Sequence, residues 1–437
     1  MNEKDNKKSN ESPVTNQELA EAFGGPAAKS DLELKTKSKL KGDKRKDGAV
    51  DKSRKQFILF MSLGCIGLVA GIAMIVGGLM IKPETKGGIK YPDLSKKETP
   101  NVTYSALTGE QLPDGADINA PAYCVQTPNG TDGARPQAGL NTAGVIFEAI
   151  AEAGITRFAA IYQNPSAAVI GPIRSLRTYY LQWDTPFDCT IVHAGGSGDA
   201  LAAVASGGYK DLTENYTYMY RGTAGARLWN NLFTTSALLK QYSSDSGNTS
   251  SDIKGFVRMT PEESLKARVD GSVSEKLVIT APANGDVTTV TPTVTAVGLR
   301  FGGLPNYNVD YNYDAESNTY ARSYQSGATH EVYGCPAEDL GEKNPEDVCS
   351  LTQLKPSVVV AMVVSEHRAS DNYHEDITAI GSGKAYVFQN GGVVQGSWRK
   401  DSAADQIKFT DADGKEIKLA PGQTFVSAVP EYGSVDF

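Results

Sequence analysis

The chain has 437 residues, with 51 Asp/Glu against 43 Lys/Arg and a formal net charge of −8. That length holds two ordinary domains with cores of their own. The charge is divided: residues 1–55 carry 14 basic and 10 acidic side chains, residues 82–437 carry 29 and 41, and so acidic a bulk excludes nucleic-acid binding, which rests on neutralising phosphates.

The first 55 residues are rich in Lys, Glu, Asp, Ser and Asn and poor in aromatics, the composition of a disordered tail. Residues 57–81, "FILFMSLGCIGLVAGIAMIVGGLMI", carry no charge. A helix of that length exceeds the ~30 Å hydrocarbon core, so a single transmembrane helix is predicted over about 56–82. The run is too long, and begins too late, for a cleaved signal peptide. Ten Lys/Arg crowd 35–55 while three lysines lie between 82 and 90. The positive side stays inside, which predicts a cytoplasmic N-terminus, anchoring in the cell membrane, and an extracellular C-terminal bulk. The basic tail suits anionic lipid, and Gly67 and Gly71 offer a close-approach pair for a helix-mediated homodimer.

Five cysteines fit that topology. Cys65 lies in the apolar run; Cys124, Cys189, Cys335 and Cys349 fall outside, in disulfide-permissive space. Three pairings exist. The favoured one staples the loop "CPAEDLGEKNPEDVC" through Cys335 and Cys349, leaving Cys124 and Cys189 to join neighbouring strands. No Cys/His spacing signals zinc, and Asp310 with Asp314 lacks a third ligand.

Residues 83–118 have no periodicity and predict a stalk. From 119 to 240 the pattern is α/β, a central sheet flanked by helices. "AYCVQT" reads as a strand; 142–154 places Val145, Ile146, Ala149, Ile150 and Ala153 at helical spacing, with Gly154 to end the helix. "ITRFAAIY" and "AVIGPIR" read as strands, "LRTYYLQW" as a helix, "DCTIVHAGG" as a strand and "GDALAAVASGG" as a helix. Residues 241–291 look like a connection. From 292 to 437 the texture is β-rich, with hairpin turns at "QNGG" and "DADGK".

Several stretches together resemble the YerB-like family of bacterial envelope lipoproteins: "ARPQAGL" (134–140), "AGVIFEAIAEAGITRF" (143–158), "IGPIRSLRTYY" (170–180), "VHAGGS" (192–197), "VDYNYD" (309–314), "GSGKAYVFQNGGVVQGSWRK" (381–400) and "DGKEIKLAPGQTFVSAVP" (413–430). The resemblance covers nearly all of 105–432 in order and implies two domains without a settled biochemical function. Family members carry a lipid anchor where this chain has its apolar run. Gln126 and Asn230 stand where the family has Asp and His. The order of elements is also similar to that of the LytR–CpsA–Psr phosphotransferases, which hold a polyprenyl pyrophosphate with arginines.

The candidate ligand-binding residues follow from charge and position. Arg174 and Arg177 lie one helical turn apart and can face one anion, with Arg135 and Arg157 brought in from neighbouring segments. The competing reading pairs these arginines with Glu148, Glu152 or Asp188. Arg157 shares a strand face with Ile155, Ala159 and Ile161, so it needs a partner. His193 ends a strand beside glycines and can serve as acid/base or pack beneath the turn; Asp199 suits a helix first turn. No complete catalytic constellation is legible, and no catalytic residue or cofactor is assigned; Mg²⁺ enters only with the phosphotransferase reading. The expected function is binding of an anionic envelope component, a lipid-linked glycan or cell-wall polymer. The alternatives are transfer or hydrolysis of a polyprenyl-pyrophosphate-linked glycan and a structural scaffold within a membrane complex.

Overall fold

The computed structural model describes residues 102–223, 229–268, 294–302 and 304–437, together with the short strands Val278–Thr280 and Val287–Thr289. The predicted membrane span, the basic tail and Cys65 lie outside the described residues. Among those described, no helix is long and apolar enough to cross a membrane.

Ten strands drawn from both halves of this region form one mixed sheet. In chain order they are β1 (Ala122–Pro128), β2 (Val145–Glu152), β3 (Ile155–Gln163), β4 (Thr190–His193) and β5 (Lys210–Thr213). After β6 (Ala296–Arg300), β7 (Val309–Asp314) and β8 (Thr319–Tyr324) come β9 (Val358–Val364), β10 (Gly381–Gln389), β11 (Gly392–Lys400), β12 (Lys408–Asp411), β13 (Thr424–Pro430) and β14 (Ser434–Asp436). The large sheet runs β12-β11-β10-β9-β13-β2-β3-β1-β4-β5, and a four-stranded sheet runs β8-β7-β6-β14. Its middle is the parallel pair β2–β13, in which Val145 lies opposite Thr424 and Glu148 opposite Ser427. Chain segments nearly 280 residues apart therefore share one ladder.

The strands at that seam are apolar on both faces, as parallel strands buried between layers must be. One face carries Phe147, Ile161, Val360 and Val426, covered by Trp183, Tyr179 and Tyr180 of helix α1 (Thr178–Asp184). The other carries Ile150, Val359 and Phe388 against Leu299, Val309 and Tyr311 of the small sheet. Each such side chain contributes about 1.5–3 kcal/mol on burial. Helices are few: α1, α2 (Gly198–Ala205), α3 (Ser236–Ser246) and α4 (Pro261–Ala267) are the principal ones described.

The helix expected over 142–154 is strand β2. A nearly unbroken run of buried residues satisfies helical spacing and strand burial alike, and β3 and β13 on either side decide for the strand. "AVIGPIR" is not a regular strand. Ile170 and Gly171 make isolated bridges to Thr234 and Ala138, and Pro172 has no N–H to continue a ladder. From Tyr104 the segment expected as a stalk lies against the body: Leu107 is buried, and its carbonyl accepts from Arg258 Nη2 at 2.6 Å. The "QNGG" turn joins β10 to β11, with Asn390 and Gly391 both at positive φ (53° and 76°), the pair a tight hairpin requires. Both disulfides are formed, Cys124–Cys189 on the α1 face and Cys335–Cys349 closing the acidic loop.

Candidate functional site

Glu152, at the end of β2, gathers two of the candidate arginines. Its Oε1 accepts from Arg157 Nη2 and its Oε2 from Arg177 Nη2, both at 2.7 Å. Arg157 also donates to the Ser175 carbonyl at 2.9 Å and Arg177 to the Leu176 carbonyl at 3.0 Å. Burial pulls the Arg157 guanidinium down from its usual range, as does Arg177 beside it, and the Glu152 charge opposes both. Arg177 Nε is left buried without a partner. Tyr179 and Tyr180 of α1 fasten this corner by donating to the Ile150 and Ala149 carbonyls at 2.8 and 3.2 Å.

A cleft of about 430 Å³ opens beside this corner. Arg177, just before α1, and Thr178 and Gln182 of α1, with Ser197, Gly198 and Asp199 at the start of α2, form one wall. The hairpin of strands Glu366–Arg368 and Glu375–Ile377 forms the other, with His367, Asp371, His374, Glu375 and Asp376. The first wall mixes donors with the Asp199 carboxylate, and Ser197 makes no side-chain cap at the start of α2. The second wall is rich in acceptors. Its Asp371 carboxyl is drawn down to about 2 by backbone N–H donation from His374 and Tyr373 and by the His374 ring. Glu375 is pushed the other way, to about 7, by burial and by the neighbouring Glu366 carboxyl.

The six candidate residues do not form one arginine-lined pocket. Arg177 and Asp199 line the cleft, and Arg157 stands behind it on Glu152. Arg174 donates from Nε to Asn230 Oδ1 at 2.9 Å, away from Arg177, because α1 begins only at Thr178 and Arg177 is still extended, so the two arginines do not share a helical turn. His193 is buried, Nδ1 at 2.6 Å from the Gly195 carbonyl and Nε2 at 2.8 Å from Asp211 Oδ1. Arg135 belongs to a different place, over the Tyr324 ring at 3.7 Å and bonded to Asn129 and Asn306.

That other place is a buried polar network between the two sheets. Glu148 of β2 and Arg322 of β8, both fully buried, pair at 2.8 Å. Thr156 and Ser427 complete the carboxylate, Tyr311 and His330 the guanidinium, and His330 passes to Gln137 at 3.1 Å. Burial and the facing arginines hold His330 well below its usual value, which keeps it neutral. Every main member has its partner, so the network fastens layers together.

The chain was compared with known proteins. Residues 107–249 match the family described as "Protein of unknown function (DUF3048) N-terminal domain", and residues 299–426 match its C-terminal domain. The chain belongs to this two-domain, YerB-like family. It is 25% identical over 354 residues to "Putative lipoprotein YerB" of Bacillus subtilis (strain 168), a match spanning 81% of this chain and 92% of the relative. The crystal structure of Bacillus subtilis YerB superposes with a TM-score of 0.57 at 22% identity, covering 77% of this chain and all of that one, and shares the fold.

Within this YerB-like frame, the large sheet crosses from the first family domain into the second, and the cleft takes one wall from each. Sequence reasoning missed the second wall. Its signal was present: two of the four histidines of the chain, His367 and His374, fall among Glu366, Asp371, Glu375 and Asp376. Among the described residues, no group of three or more His, Cys, Asp or Glu is placed to hold a metal ion.

Proposed function

We propose that this protein is a membrane-associated, extracytoplasmic binding module, and that its ligand is a polyhydroxylated envelope component, a lipid-linked glycan or cell-wall polymer. Placement at the membrane is supported by the relative named as a lipoprotein and by the apolar run at 57–81. The observation that carries the ligand class is the composition of the cleft. Groups that both donate and accept (Thr178, Gln182, Ser197) lie among the carboxylates Asp199, Asp371 and Asp376, and sugar hydroxyls both donate and accept, so a glycan suits this lining where a simple anion meets the carboxylates. The phosphoryl-transfer reading needs arginines free to grip a pyrophosphate, and Arg157 and Arg177 are committed to Glu152.

The test is native mass spectrometry of the full chain extracted from membranes, wild type beside Gln182→Ala/Asp199→Ala. A co-purified glycan present on the wild type and depleted at least tenfold on the variant is the expected result. A glycan retained equally by both, or none on either, overturns the assignment.

A further inference from the structure

The large sheet opens between β1 and β4. These strands run parallel, with Tyr123 opposite Thr190 and Val125 opposite Val192, and then part. Arg174 stands in the gap. Its N–H donates to the Gln126 carbonyl of β1 at 2.7 Å, and its own carbonyl accepts from the Ala194 N–H, just past β4, at 3.0 Å. From β1 the chain passes to β2 and β3 on one side of the gap, while β4 and its parallel neighbour β5 lie on the other. A crevice outside the carboxyl ends of parallel strands, where the chain order reverses, is the place at which open α/β sheets take their ligands.

The side chain in that crevice is held but not used up. Arg174 is half-buried and gives Nε to Asn230 Oδ1 at 2.9 Å. Asn230 is 1% exposed, and its Nδ2 is spent on the Asp132 carbonyl at 3.2 Å, which fixes Oδ1 toward the guanidinium. Nη1 and Nη2 donate to no described group, and among the described residues no carboxylate pairs with Arg174. The next residue of the same segment supplies the contrast. Buried Asn231 receives Arg221 Nη1 at 2.9 Å, but Arg221 also has the Glu214 carboxylate at 2.6 Å and the Tyr216 hydroxyl at 2.9 Å. Arg157 and Arg177 share Glu152, Arg322 has Glu148, and Arg300 has Asp310. His193, at the end of β4, is taken by Asp211. Arg174 is the one among these arginines with a fixed guanidinium and no counter-ion. A half-buried cation carries a desolvation cost that an anion at its free edge offsets. That edge, Nη1 with Nη2, is the planar fork that meets two oxygens of one carboxylate or phosphate.

We propose that Arg174 anchors a second binding site, separate from the cleft, for an oxyanion: a phosphate or carboxylate group of a ligand enters the crevice between β1 and β4 and is gripped end-on by Nη1 and Nη2, with Asn230 as the positioning residue. The site uses neither arginine of the Glu152 corner.

The experiment is thermal unfolding of the full chain in detergent at pH 7, with sodium chloride exchanged for sodium phosphate or sodium glucuronate at constant ionic strength. The wild type gains a saturable rise in melting temperature, about 2 °C at about ten times the dissociation constant. The rise is absent from Arg174→Gln and moves to higher anion concentration in Arg174→Lys, which keeps the charge and loses the fork. It is intact in Arg399→Gln, which changes an exposed arginine paired with Asp401. A non-saturating rise shared by all four proteins is the general exclusion of phosphate from protein surfaces and is subtracted. A response to phosphate alone points to a phosphorylated ligand, to glucuronate alone to an acidic sugar, and to both to a site that reads charge only. No saturable rise in the wild type with either anion, or the same midpoint in wild type, Arg174→Gln and Arg174→Lys, overturns the site. The result is independent of whether Gln182 and Asp199 hold a glycan.

Discussion

Strand β2 carries two glutamates four residues apart, and their fates differ. Glu148 is sealed between the sheets, shares one arginine and is fully satisfied. Glu152 stands at the edge of a cleft, shares two arginines and leaves Arg177 Nε without a partner. Residues four apart on a regular strand point the same way, yet Glu148 meets the small sheet and Glu152 meets the start of α1 on the opposite face. The register shift between Ile150 and Glu152 accounts for it: one irregular step turns the strand end around. The same pair of residue types thus builds architecture in one position and the corner beside a cleft in the other.

The largest test of that contrast is Arg322→Met. It leaves the Glu148 charge buried without its counter-ion and should cost ~3–5 kcal/mol in urea unfolding. The double variant Glu148→Leu/Arg322→Met should recover most of it, since the burial penalty leaves with both charges. If the double variant is as unstable as the single, the network contributes more than its charge balance.

Glu152→Gln is the matching change at the cleft. With Glu152 itself partly exposed and Arg157 and Arg177 still bonded to carbonyls, the expected loss is smaller, ~2–3 kcal/mol. A loss equal to that of Arg322→Met would remove the distinction between the two sites.

The smallest expected effect concerns Asp184 at the end of α1. Burial holds its carboxyl well above the usual range; Gln126 Nε2 donates to Oδ2 at 2.9 Å, while Oδ1 and Gln126 Oε1 have no partner. A proton on Oδ1 gives both oxygens a share in one hydrogen bond. The folded state keeps this proton where the unfolded chain releases it. Its contribution is therefore complete below the ordinary Asp value of about 3.9 and lost as pH rises toward the folded value. Asp184→Asn should then raise the melting temperature slightly at pH 7.5 and leave it unchanged at pH 4. A lower melting temperature at pH 7.5 would mean that Asp184 is ionised and held by Lys400, whose own value burial has lowered to about 8.

Much of the β-rich half was legible residue by residue. Alternation in "YNVDYNYD", the apolar run "SVVVAMVV" and the Asn-Gly turn at 390–391 report local backbone preferences that tertiary packing did not overrule. The cleft was not legible, because Asp199 and Glu375 are 176 positions apart and only the β2–β13 seam brings their segments together. The strand at 142–154 was misread for a related reason. Its apolar residues fit two periodicities, and the choice lies with strands β3 and β13, not with the stretch itself.

What the sequence determined by itself was local or compositional: the uncharged run at 57–81, the acidic bulk after it, the hairpin turns, the stapled acidic loop and the family likeness carried by ordered motifs. The tertiary structure alone decided which arginines share Glu152 and that Glu148 and Arg322 are sealed between sheets. Those outcomes depend on which distant segments exclude water from a given group, and a side chain's charge, partner and protonation follow from that exclusion.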